Sequence, residues 1–323
     1  MQNVLLVGGA GYIGSHIVFK LCDLGYNVKV LDDLSSGFKE NIDTRAKFIH
    51  GSIFDDVILN QAIANVDSVI HLAALKDAGE SMIDPMLYTK QNIQGSLAVL
   101  MSCLKNNVKK IVFSSTAAVY GNPSYLPLDE NHPTSPINYY GYTKLCVERN
   151  LFWFSKIYGI KVACLRYFNA TGYDLKNKIN KVEKNPSNLL PIVMETLIGK
   201  RSELEVYGKD YNTDDGTCLR DYIHVDDLAD AHSKSLEFLD SNEKSICVNL
   251  ATGNYHSVLD VIKEAQEVSG RPVNYRFVKR RQGDPPKLYA KSNLAKDLLN
   301  WSPKYSDLNT ILKSKWNVYK KLL

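Results

Sequence analysis

The chain has 323 residues, enough for one large domain or two ordinary ones. Apolar residues make up 45% and charged residues 23%, a balance that excludes a disordered or membrane-embedded chain. Lys and Arg number 39 against 35 Asp and Glu, so the net charge is +4 with both signs interspersed, which argues against nucleic acid or a membrane surface as partner.

The first strand is expected at once, over Val4–Val7, with no basic region or cleavage site of a secretory leader before it. Gly8-Gly9-Ala10-Gly11-Tyr12-Ile13-Gly14 follows and opens a helical pattern over Ile13–Leu24. Glycines here allow a tight turn and let a pyrophosphate approach the helix N-terminus, where free N–H groups point outward. The spacing differs by one residue from the dinucleotide fingerprint, but the strand–turn–helix context is the same. A second strand, Val28–Leu31, ends at Asp32-Asp33. A carboxylate there accepts hydrogen bonds from ribose hydroxyls and repels a 2′-phosphate, so Asp32 favours NAD over NADP.

Strands are predicted next over Lys47–His50 and Ser68–His71, then a helix over Thr89–Lys105 and a strand over Lys110–Ser114. That last strand runs into Ser115-Thr116-Ala117-Ala118. Ligands of open α/β sheets bind beyond the carboxyl ends of strands, which places Thr116 to meet a substrate hydroxyl. A helix over Tyr140–Lys156 begins with Tyr140-Gly141-Tyr142-Thr143-Lys144. Residues four apart share a helix face, with Cβ atoms roughly 5–6 Å apart. A free phenol, with a pKa of about 10, is a poor base at neutral pH. The Lys144 cation is expected to favour the Tyr140 phenolate and lower that value. Another strand follows over Lys161–Arg166.

Regular alternation of apolar strands with helices predicts a doubly wound parallel α/β sheet covered on both faces. The pattern changes near Asn169, so residues 1–170 are assigned to a dinucleotide-binding domain and 171–323 to a smaller α/β substrate domain. The strand-like Cys247–Leu250 suggests that the chain crosses back to the sheet. Tyr173–Ser187, rich in Lys and Asn, reads as a loop, and Gly283-Asp284-Pro285-Pro286 as a turn. Six scattered cysteines (Cys22, Cys103, Cys146, Cys164, Cys218 and Cys247) have neither metal-site nor disulfide-frame spacing. No metal is expected, and a reducing, cytoplasmic setting is.

Together the glycine turn, Thr116, Tyr140 and Lys144 resemble the extended short-chain dehydrogenase/reductase family, whose Ser/Thr, Tyr and Lys triad they match one for one. Further segments resemble its members that epimerise UDP-hexoses at C4: Leu75-Lys76, Gly79-Glu80-Ser81, Asn92, Arg166-Tyr167-Phe168-Asn169, Asn188-Leu189-Leu190-Pro191, Asp214–Thr217, Arg220–Val225 and Arg281-Gln282-Gly283-Asp284. These matches run in fixed order along nearly the whole chain. The resemblance implies a Rossmann-type sheet and a tightly held NAD regenerated in each cycle. The C4 hydroxyl of UDP-glucose or UDP-galactose would be oxidised to a ketone and re-reduced from the other face, a step of galactose metabolism. It assigns Gly8, Gly11, Tyr12, Ile13, Gly14, Asp32, Ser52, Ile53, Leu72, Ala73, Ala74, Lys76, Asn92, Ser114, Tyr140, Lys144 and Tyr167 to the cofactor. It assigns Lys76, Thr116, Tyr140, Asn169, Asn188, Leu189, Val206, Tyr207, Arg220, Arg281, Asp284 and Leu288 to the UDP-sugar.

Guanidiniums suit a diphosphate because their donors form a fixed fork. Without the resemblance, Arg220-Asp221 reads equally as a surface ion pair and Arg281 as part of a solvated basic corner, while His224 reads as a packed strand end. Ser52 replaces a common aspartate beside the adenine, Ala74 a glycine, and the loop 173–187 lacks the usual Gly-Glu element. A dehydratase on this scaffold needs an acid and a base beside the threonine, where this chain has Ala117-Ala118. Epimerases of UDP-N-acetylhexosamines or UDP-uronates differ by pocket shape, and Leu288 leans toward plain hexoses. A non-catalytic NAD sensor would not need the complete triad. A homodimer through Leu97, Leu100, Leu104, Leu151 and Phe152 is also expected, although burial within one chain accounts for that apolar face equally well.

Overall fold

Val4, Leu5, Leu6 and Val7 are completely buried and form most of β1 (Asn3–Val7) in the computed structural model, which describes residues 2–184, 186–281 and 284–323. Successive strand side chains point to opposite faces. Val4 and Leu6 enter a core with Ile17, Val30 and Leu228, whereas Leu5 and Val7 enter another with Leu59, Val99 and Phe113. A strand apolar on both faces must be covered on both, hence the helical crossovers between parallel neighbours.

In chain order β1 is followed by α1 (Tyr12–Asp23), β2 (Asn27–Asp32), β3 (Lys47–His50), α2 (Asp56–Ile63) and β4 (Ser68–His71). Then come α3 (Ala78–Ile83), α4 (Pro85–Tyr88), a π-helical stretch Thr89–Gln94, α5 (Gly95–Lys105), β5 (Lys110–Thr116), α6 (Tyr139–Tyr158) and β6 (Lys161–Tyr167). The second half carries β7 (Asn169–Thr171), α7 (Leu189–Leu197), β8 (Leu204–Tyr207), β9 (Leu219–Arg220), β10 (Tyr222–His224), α8 (Val225–Ser241) and β11 (Ile246–Leu250). After it come β12 (His256–Ser257), α9 (Val258–Ser269), β13 (Tyr275–Val278), β14 (Lys287–Leu288), α10 (Asn293–Leu299) and α11 (Leu308–Tyr319).

Seven parallel strands form the main sheet in the order β11-β6-β5-β4-β1-β2-β3. The order reverses at β1, which opens a crevice beyond the carboxyl ends of β1 and β4. The chain returns from its second half to add β11 beside β6, with Cys247 opposite Cys164, and α8 packs on α1. α10 joins α8 and β11 in the first core, while α7, β8, α9 and α11 gather around a third core that includes Val193, Met194, Val261, Ile311 and Leu312.

One predicted element is divided. The helix expected over Thr89–Lys105 begins with π-helical turns at Thr89–Gln94 and becomes α-helical only from Gly95. The wider turn carries Asn92 inward, where its side chain binds Leu75 and Thr143. Local polar groups set the ends of α6: Asn138 accepts from the Gly141 N–H at 2.8 Å, and Gly159 ends it at φ +65°. Two positions of the Arg281–Asp284 segment, Gln282 and Gly283, lie outside the described residues.

Candidate active site

A cleft of about 510 Å³ lies at the carboxyl end of the sheet, between the glycine turn and the start of α6. Gly8 has φ +85°, and a Cβ there would fall 2.6 Å from the Ala73 nitrogen. A Cβ on Gly14 would fall 2.4 Å from the Gly8 carbonyl oxygen. Both positions therefore require glycine. Gly11 precedes α1 without a capping side chain, leaving the first N–H groups of Tyr12, Ile13 and Gly14 free for an anion. The Tyr12 side chain turns away and donates to the Gly172 carbonyl at 2.5 Å.

Asp32 ends β2 with its carboxylate accepting from the Ala10 and Leu34 N–H groups, each at 2.9 Å. Burial raises its pKa, and those two donors oppose the rise. Ser52, Ile53, Leu72, Ala73 and Ala74 line the same end of the cleft. The Ser52 hydroxyl accepts from the Phe54 N–H at 3.2 Å, so a local turn already uses one of its lone pairs.

At the other end stand Ser114, Thr116, Tyr140, Lys144 and Tyr167. β5 brings Ser114 and Thr116 to the cleft floor, and Ser81 at α3 accepts from the Tyr140 N–H at 3.0 Å, seating the start of α6. Lys144 is 3% exposed; its Nζ donates to the Ser114 carbonyl at 2.8 Å and lies 4.9 Å from the centre of the Phe113 ring. Ser114 and Tyr167 share a hydrogen bond between their hydroxyls.

The electrostatics differ from the sequence expectation. Burial pushes the Tyr140 phenol up to about 12, and its contact with Thr116 recovers only part of that. Burial also pulls Lys144 down to about 7, against the raising influence of Glu148. Spacing brings Tyr140 and Lys144 into one cleft, but desolvation dominates the state of both. The chain's own groups do not make Tyr140 a phenolate at neutral pH.

Other expected residues divide by position. Lys76, Asn169 and Asn188 line the cleft. Lys76 forms an ion pair with Glu183, and the Asn169 amide donates to the Asp221 carbonyl at 2.9 Å. Arg220 donates to the Leu219 and Pro285 carbonyls, each at 2.9 Å, and lies 3.5 Å from the Asp284 carboxylate. Leu288 pairs with Arg220 across β14 and β9. The Arg281 guanidinium lies 4.4 Å from the Tyr207 ring centre. Leu189 packs at the edge of the third core. Two residues expected at the ligands have side chains turned into protein. The Asn92 side chain is spent on the Leu75 backbone and Thr143, and is 1% exposed, so it faces protein rather than the cleft. Val206 is likewise 1% exposed and its side chain belongs to the third core.

Glu183 lines the cleft although sequence reading passed it over. Burial alone would raise its carboxyl, but the Lys76 and Lys315 ammonium groups outweigh that and hold it below its ordinary value. Its one signal was being the only glutamate of a Lys-rich loop, and its partners lie 107 and 132 residues away in the chain. His224, read as structural, caps α8 and is completely buried. Among the described residues there is no cluster of potential metal ligands, and no helix is long and apolar enough to cross a membrane.

A glycine-turn cleft at the switch point of a doubly wound sheet, with a Thr–Tyr–Lys group at its far end, defines a dinucleotide-binding protein. The chain belongs to the NAD dependent epimerase/dehydratase family, whose profile matches residues 4–251. It is 43% identical over 319 residues to a UDP-glucose 4-epimerase of Halalkalibacterium halodurans, covering 98% of this chain and 95% of that one. Among solved structures it is similar to a UDP-glucose-4-epimerase from Stenotrophomonas maltophila with bound NAD and formylated UDP-arabinopyranose (TM-score 0.96, 37% identity, 100% and 99% coverage). It is also similar to a UDP-glucose 4-epimerase from Bifidobacterium longum in complex with NAD+ and UDP (TM-score 0.94, 36% identity, 99% and 98% coverage). The residues present fit NAD. The Gly8–Gly14 cradle is space a Cβ would fill, the α1 N-terminus is open to a pyrophosphate, and Asp32 keeps lone pairs for ribose hydroxyls.

Proposed function

We propose that this chain interconverts UDP-glucose and UDP-galactose by oxidising and re-reducing C4. The observation that carries the reading is one cleft holding Thr116, Tyr140 and Lys144, with only the apolar Ala117, Ala118 and Val119 in the turn after Thr116. Elimination of water to a 4-keto-6-deoxy sugar needs an acid and a base at that turn, and Ala117 and Ala118 supply neither. Gly8, Gly11–Gly14, Asp32 and Lys144 would hold NAD. Bound NAD⁺ supplies a reversible hydride acceptor and a positive charge.

The chain's own residues do the proton work. Tyr140 takes the C4 hydroxyl proton and later returns it, with Thr116 orienting the hydroxyl. Lys144 and the charge of the bound cofactor act in the same direction on the Tyr140 phenol, which burial holds near 12. Asn169, Asn188, Arg220, Arg281 and Asp284 would anchor the UDP moiety remote from C4, so that a ketosugar can turn without leaving. Residues 1–170 would form the larger part of the cofactor half and 171–323 most of the substrate half. Product analysis by NMR after incubation with UDP-galactose tests this: UDP-glucose is expected, and none from protein carrying NAD would end the proposal.

We further propose a homodimer and a cytoplasmic setting. Leu100 and Leu151 are buried within the chain, and Leu97 and Leu104 pack against the same core. The dimer would therefore use the exposed Phe152 together with Met101, Trp153 and Ile157. A monomer in sedimentation at micromolar concentration would rule it out. All six cysteines are free thiols, as suits a reducing compartment.

A further inference from the structure

α6 carries Tyr140, Lys144 and Glu148 at four-residue intervals on one face. Two of these have roles in the proposed reaction; Glu148 does not. Its side chain is 3% exposed, and both oxygens are engaged. Oε1 accepts from Ser115 Oγ at 2.5 Å and Arg166 Nε at 2.9 Å, and Oε2 from Arg166 Nη2 at 2.6 Å. Arg166 Nη1 donates onward to the Tyr120 hydroxyl at 3.1 Å, which donates to Asn249 Oδ1 at 2.6 Å.

A buried ion pair is weak evidence for stability, because desolvation cancels much of its Coulomb attraction. What this pair touches indicates a different use. Ser115 stands between Ser114, whose carbonyl receives Lys144, and Thr116, which meets Tyr140. Adjacent strand residues point to opposite faces, so Ser115 shares with Phe113 the face that α6 covers; Glu148 grips the strand there at Ser115, one turn along α6 from Lys144, which meets the Ser114 carbonyl and the Phe113 ring. Tyr120 directly follows the Ala117–Val119 turn, so Arg166 holds the far side of Thr116 as well. Glu148 is also the anion that acts on Lys144. The other titratable groups around this ammonium, Tyr140 on α6, His71 on β4, and Tyr167 and Arg166 on β6, are neutral or cationic at neutral pH.

We propose that Glu148, clamped by Arg166, is a positioning residue: it holds the Ser114–Thr116 strand end against Tyr140 and Lys144 and places a carboxylate one helical turn from Lys144. This rests on the epimerase reading above. The test uses the full chain with NAD and three variants. Glu148→Gln keeps the shape and removes the charge. Glu148→Asp keeps the charge. Glu148→Gln/Arg166→Met also removes the cation, so no unpaired buried charge threatens folding.

Glu148→Gln is expected to lower kcat by about tenfold or more, with KM for UDP-galactose within about threefold. The alkaline limb of its kcat profile should move to lower pH. Glu148→Asp should restore the limb, and the double variant should show the shifted limb while circular dichroism reports a native fold. An unmoved limb, or a kcat loss that only tracks the folded fraction, overturns the proposal. NAD dissociation measured against pH, whose increase with rising pH is expected to begin at lower pH in Glu148→Gln, reads the same charge without any sugar. It keeps a failure of this inference distinct from a failure of the epimerase reading, which the wild-type product assay alone decides.

Discussion

The two ends of the cleft are built on different principles. At the cofactor end the binding surface is backbone: Gly8, Gly11 and Gly14 lie within seven consecutive residues and follow a completely buried strand. Nothing there must move to admit a diphosphate, because a strand, a turn and a helix N-terminus already define the seat. At the substrate end the groups are long side chains from distant segments, and they are occupied with one another. Arg220 bonds two carbonyls and faces Asp284, Arg281 covers Tyr207, and Asn169 bonds the Asp221 carbonyl. A ligand there exchanges internal partners for its own, so affinity at that end is a difference between two sets of bonds.

The largest effect expected lies between the two ends. Tyr140→Phe removes the proton acceptor and should lower kcat by about 10²–10⁴-fold, with bound NAD unchanged by chromatographic assay. Turnover within tenfold of wild type would remove Tyr140 from the acid–base role. Next comes the backbone end. Gly14→Ala places a methyl 2.4 Å from the Gly8 carbonyl oxygen, so the turn must deform. A stability loss of about 1–3 kcal/mol in urea unfolding is expected, together with lost NAD binding; a variant that binds NAD normally would contradict a rigid seat. At the side-chain end Arg220→Met should weaken UDP about 10–100-fold in calorimetry while NAD content stays constant. If NAD is lost in parallel, the two ends are not separable.

The smallest effect concerns pH. Lys144 has its pKa lowered from 10.5 to about 7, so the folded chain binds fewer protons than the unfolded chain between those values. Stability from this group is therefore greatest above 10.5 and falls as pH drops through about 7. For protein stripped of NAD, the thermal midpoint should be about 2–4 °C higher at about pH 8.5 than at about pH 7. Lys144→Met should flatten that slope; an unchanged slope would show that Lys144 is not the titrating group.

Much of this site was legible along the chain. Gly8–Gly14 and Asp32 carry local signals, since a turn between strand and helix needs particular residue types in sequence. Thr116, Tyr140 and Lys144 were found from strand-end and helix-spacing arguments together with the family resemblance. The orientation of Asn92 and Val206 was not legible, because a residue's place near a site does not say which way its side chain turns. The π-helical turns rotate Asn92 toward Leu75, and β8 turns Val206 into the third core. Glu183 and the Glu148–Arg166 clamp could not be seen, because their partners are far away in the chain.

The order of apolar and polar residues was enough to specify a doubly wound parallel sheet, a glycine turn between strand and helix and a Tyr–Lys pair on one helix face, because these depend on neighbours within a few residues. Folding alone decided the electrical state of that pair. Desolvation is a property of everything packed around a group, and here it raises Tyr140 to about 12 and lowers Lys144 to about 7, opposite to what their spacing suggests. It also decided which charges meet, through β11 returning to β6, Glu183 reaching Lys76 and Arg166 closing on Glu148.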